Sequence, residues 1–147
     1  MKVLVPLLTG KEAKKEFIDA VTSGASKVIL LQIIDKSFMN KTSTAMGEVM
    51  QFSGVLKEAK KAIGAKKKPC EETTEWGDTI KKIVNIASLQ QVDKIYFVKQ
   101  KNRFFDDILK ELDKEKLKYE LIEVIEEEPA QQKRTPRGFL KGLIGRA

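Results

Sequence analysis

The segment DKIYFVKQKNRFFDDILKEL, residues 93–112, decides how the rest of the chain folds. Ile95, Tyr96, Phe97 and Val98 make the short, unbroken apolar run that a strand covered on both faces requires. Phe105, Ile108, Leu109 and Leu112 follow at helical spacing. A buried strand turning directly into an amphipathic helix is half of a β-α-β unit. In a doubly wound sheet that junction is the carboxyl end of a central strand, where ligands bind. Phosphate-binding junctions use glycine, because backbone N–H groups must approach the anion closely. No glycine occurs from Val92 to Ile125.

Outward from this unit the alternation repeats. Lys2 to Leu8 is almost wholly apolar and reads as a first strand rather than a signal peptide. Thr9 is placed to cap a helix over Lys11–Ser23, with Gly10 permitting a tight turn and Gly24 closing the helix. Lys27 to Ile34 is the most continuously apolar run and predicts a central strand; Asp35 to Thr44 predicts a polar loop. A second helix is expected over Glu48–Ile63, with Val49, Phe52, Leu56, Ala59 and Ile63 inward and Gly64 as its stop. Pro69 to Glu75 is rich in Glu and Thr, as an edge strand would be. Asp78 then caps a helix over Thr79–Gln90, and Lys118 to Ile125 forms the last strand. The order β-α-β-α-β-α-β-α-β makes one α/β domain over residues 1–128, with right-handed parallel crossovers. Composition changes at Pro129, and residues 129–147 form a basic tail broken by Pro136, Gly138, Gly142 and Gly145.

The chain has 147 residues, enough for one well-buried core, and no apolar run near the roughly 20 residues of a membrane span. A single cysteine, Cys70, cannot form an internal disulfide and fits a reducing cytoplasm. The sequence contains no histidine, which excludes Ser-His-Asp and Cys-His catalysis and His-containing zinc sites. No catalytic residue and no metal ligand is assigned. A net charge of +7 permits anionic partners, although lysines spread in this way read first as a solvated charged coat. The lysines are spread along helices without interleaved aromatics, so nucleic acid is disfavoured.

Three stretches resemble the universal stress protein family: VLVPLLTGKEAKKEFIDAV at the start, KVILLQIID, and EWGDTIKKIVNIASLQQVDKIYFV. The resemblance spans residues 2–125. It implies a three-layer α/β/α fold with a five-stranded parallel sheet of order 3-2-1-4-5, like the adenine nucleotide alpha hydrolases, and a stress-related role. It also implies dimers formed through the fifth strand, here Tyr119 to Ile125. ATP-binding members carry an acidic residue after the first strand and a glycine motif after the fourth. Leu8 stands at the first place, and Lys99 to Phe105 at the second holds no glycine.

The crevice candidates are therefore Thr9, Ile34, Val98, Lys99, Lys101 and Arg103, the last three by charge alone. No cofactor is assigned, and ATP or AMP is disfavoured. The expected function is a non-catalytic binding or regulatory module. One alternative is a nucleotide-binding member with an atypical phosphate site. The other is an adaptor whose Phe139, Leu140, Leu143 and Ile144, set among Lys and Arg, dock on protein or on an anionic membrane.

Overall fold

The run from Lys27 to Ile34 has only two polar side chains, and it forms the longest strand, β2, with apolar neighbours on both faces. The computed structural model describes residues 1–35 and 45–125, with residues 45–53 described as backbone only. Residues 36–44 of the expected polar loop, the side chains of Val49 and Phe52, and the tail lie outside the described residues.

Four further strands join β2: β1 (Lys2–Pro6), β3 (Cys70–Trp76), β4 (Lys94–Val98) and β5 (Tyr119–Ile122). All pair in parallel, in the order β3-β2-β1-β4-β5. The linking helices are α1 (Lys15–Gly24), α2 (Ala45–Ala65), α3 (Thr79–Leu89) and α4 (Arg103–Lys114). Because strand side chains alternate, β1, β2, β4 and β5 each feed two cores, while the edge strand β3 adds only Cys70 to one of them. Val3, Val5, Val28 and Leu30 pack with Phe17 and Val21 of α1 and Ala59 and Ile63 of α2. Leu4, Ile29, Leu31, Ile95 and Phe97 pack with Ile83 of α3 and Ile108 and Leu112 of α4. Each such side chain contributes roughly 1.5–3 kcal/mol by leaving water. Phe97 and Phe105 meet edge to face at 5.5 Å, which ties β4 to α4 across the junction.

The sheet has a built-in gap. β1 and β4 pair only at Val3↔Lys94 and Leu4↔Ile95. Backbone groups alternate between neighbours: the Lys2 carbonyl accepts from Asp93 N–H, while Leu7 N–H donates to Leu31 of β2. Pro6 falls on the β4 side of this alternation and has no N–H to give. The ladder therefore stops, and the carboxyl ends of β1 and β4 enter separate turns.

Several boundaries differ from the sequence expectation. α1 starts at Lys15 rather than Lys11, because residues 11–14 are held in a separate turn. α2 runs through Gly64 to Ala65, and Lys67, not glycine, takes the positive φ after it. β5 ends at Ile122 rather than Ile125, since β4 stops at Val98 and offers no further partner strand. The edge position of β3 is as expected.

Candidate functional site

At the carboxyl end of β1 the chain turns sharply, with Gly10 at φ 85°. A left-handed residue there turns successive N–H groups toward one point, an arrangement that attracts anions. The anion is supplied internally. Glu12 is 1% exposed, and its Oε2 accepts from Leu8 N–H at 3.1 Å, Thr9 N–H at 3.0 Å and the Thr9 hydroxyl at 3.0 Å. Its Oε1 accepts from Gly10 N–H at 3.0 Å. The Thr9 hydroxyl in turn accepts from Lys11 N–H at 2.9 Å. Thr9 thus caps the small turn and not α1, whose own N-cap residue, Lys14, makes no side-chain capping bond.

The starts of α3 and α4 at this edge are also occupied. Asp35, directly after β2, accepts from Thr79 N–H at 2.9 Å and from the Thr79 hydroxyl at 2.8 Å. Asp78 accepts from Lys81 N–H at 3.0 Å and completes the α3 cap. Gly77 between them holds φ 142° and donates its N–H to the Ile34 carbonyl at 3.1 Å. Asn102 caps α4 by accepting from Phe105 N–H at 2.7 Å. Lys99 N–H, the first after β4, donates to Ile122 of β5 at 2.9 Å. At the gap between β1 and β4, the N–H groups of Leu8, Thr9, Gly10, Lys11, Lys99 and Phe105 thus already have partners within the protein.

No protein-family model matches the sequence, and no curated protein matches it. Solved structures do match. Hypothetical protein MJ0577 is 19% identical over 86% of this chain and 97% of that one, with a TM-score of 0.63. A member of the universal stress protein family from Burkholderia pseudomallei is 11% identical over 84% of this chain and 96% of that one, with a TM-score of 0.58. A universal stress protein in complex with cAMP is 12% identical over 85% of this chain and 98% of that one, with a TM-score of 0.56. This is the universal stress protein fold.

Within that fold the six sequence candidates fall into three groups. Ile34 and Val98 are buried in the sheet and present little surface, at 9% and 3% exposure. Thr9 is half-buried and engaged by Glu12. Lys99, Lys101 and Arg103 are exposed around the start of α4. Glu12, Asp35 and Asn102 were missed as site residues. For Glu12 a signal existed: Thr9-x-x-Glu12 has the spacing of a capping box, in which the carboxylate returns to the Thr backbone. Cys70 is half-buried, and burial pushes its thiol up to about 11, which keeps it un-ionised and unreactive at neutral pH. Among the described residues no group of three His, Cys, Asp or Glu is placed to hold a metal ion, and no helix is long and apolar enough to cross a membrane.

Proposed function

We propose that this chain is a non-catalytic regulatory module of universal-stress-protein type whose nucleotide crevice is closed by its own side chains. The observation that carries the reading is Glu12, a buried carboxylate held by three backbone N–H groups and a hydroxyl at the end of β1. A triphosphate approaching this edge would meet a fixed negative charge in a low-dielectric setting, where like charges repel strongly. The glycine-free turn after β4, with Asn102 already on the α4 N-terminus, removes the second usual phosphate contact. Titration calorimetry with Mg-ATP tests this, and negligible heat is expected. A micromolar affinity, about −8 kcal/mol, would overturn it. That result would favour the second reading, a nucleotide site relying on the exposed cations Lys99, Lys101 and Arg103.

We also propose a two-fold homodimer through β5. This strand is a sheet edge, so one row of its backbone donors and acceptors lacks a strand neighbour, and Ile125 beyond it is 76% exposed. Lys118, Glu120 and Glu123 limit how other chains can pair there. Light scattering at high protein concentration should give twice the chain mass; a strictly monomeric mass would refute the assignment.

A further inference from the structure

Between α3 and α4 the surface holds a shallow, open recess lined by Asp78, Ile80, Lys81, Val84, Asn85 and Glu111. Ile80 and Val84 stand one helical turn apart and rest on the core behind them while keeping part of their surface exposed. Asp78 and Glu111 outnumber Lys81, so the rim is net negative. The recess is too small for an independent protein partner. Stable interfaces between free proteins bury about 1,200–2,000 Å², and two half-buried aliphatic side chains supply far less. A segment of the same chain needs no such area, since a short flexible linker holds it at roughly millimolar effective concentration.

The chain contains one segment of matching chemistry. Phe139, Leu140, Leu143 and Ile144 repeat the i, i+4 spacing of Ile80 and Val84. Residues 129–147 carry five Lys or Arg and no Asp or Glu, so most of the net +7 resides there. The tail leaves from beyond β5, at the same edge of the parallel sheet where α3 and α4 begin. From Ile125 to Phe139 there are 14 steps, a span of at most about 3.3–3.6 Å each when extended, which comfortably crosses the domain. We infer that residues 139–144 dock in cis into the α3–α4 recess, with the apolar side chains on Ile80 and Val84 and the basic ones near Asp78 and Glu111. This contact is separate from the nucleotide crevice, and the Mg-ATP titration does not bear on it.

The test compares amide NMR spectra of the full chain with those of its L140S/L143S variant, which leaves the folded domain untouched. Shift changes are expected at residues 80–85 and around Glu111, unchanged on tenfold dilution. Glu111→Lys should produce part of the same changes from the recess side. An unchanged α3–α4 spectrum would overturn the proposal. Changes that fade on dilution would overturn it in favour of docking between two copies. Binding to phosphatidylserine vesicles that is lost in L140S/L143S, with no change at α3 and α4, would place the tail on lipid instead.

Discussion

A carboxylate with 1% exposure persists only where both oxygens are satisfied, and Glu12 meets that condition within five residues of chain. Replacing it with Ala strands the N–H groups of Leu8, Thr9 and Gly10 in a partly buried turn. Losing charge-assisted bonds and leaving donors unmet costs about 2–4 kcal/mol. Glu12→Ala should therefore lower the urea midpoint markedly, with an unchanged slope. Glu12→Gln should fall between, since its amide NH2 would face N–H donors on one side. A loss below about 0.5 kcal/mol would mean that water replaces the carboxylate and that the turn does not need it. The residues of this turn were partly legible in sequence. Gly10 announced the bend, and Thr9 announced a cap. The error was to assign the first helical turn to Lys11–Lys14, which made Glu12 look like an ordinary solvated helix residue.

Three helices end in the same way, each without the glycine that usually marks the place. After α2, α3 and α4 the residues Lys67, Gln91 and Lys116 adopt φ of 60°, 54° and 60°. The next N–H reaches back over the turn each time: Lys68 to Ile63, Val92 to Ala87, and Leu117 to Leu112. This is the Schellman closure. Val92 and Leu117 also pack on the core, supplying the apolar contact that accompanies it. A non-glycine residue in this conformation carries a strain of roughly 1–2 kcal/mol. Lys116→Gly should relieve part of it and stabilise the domain by about 0.5–1 kcal/mol, read as a higher urea midpoint. A lower midpoint would show that the Lys116 side chain contributes more than its backbone costs. These ends explain which boundaries the sequence hid. Apolar pattern found four of the strands and the four helices, because those strands feed two cores and each helix buries one stripe; the edge strand β3 was legible instead from its Glu and Thr residues. The pattern did not fix the helix ends, because the closing residues are Lys and Gln, which carry no turn signature. The length of β5 was equally hidden, since it depends on where β4 stops.

Across the whole molecule, exposed ion pairs bridge elements distant in sequence. Lys27 of β2 holds Glu71 of β3 at 2.8 Å, Lys66 after α2 holds Asp19 of α1 at 2.8 Å, and Lys94 of β4 holds Glu120 of β5 at 3.0 Å. The hydrogen bond from Lys27 draws the Glu71 carboxyl below its ordinary value of 4.5, and those from Lys15 and Lys66 draw Asp19 below 3.8. A carboxyl lowered in the folded state adds stability above its unfolded pKa and loses it as pH falls through the folded one. Each pair is solvent-exposed and individually weak. A second effect acts in the same direction. The chain carries 28 Lys and Arg against 21 Asp and Glu, so protonating the acids removes most of the charge that offsets self-repulsion. The melting temperature should be nearly level from neutral pH down to about pH 5 and then fall steeply below about pH 4. Salt discriminates between the two contributions. Near neutrality, about 0.5 M NaCl screens attractive pairs and should leave the melting temperature unchanged or slightly lower. Near pH 3 the same salt screens repulsion among unopposed cations and should raise it. A melting temperature indifferent to salt near pH 3 would show that loss of specific pairs, rather than charge repulsion over the whole surface, drives the acid transition.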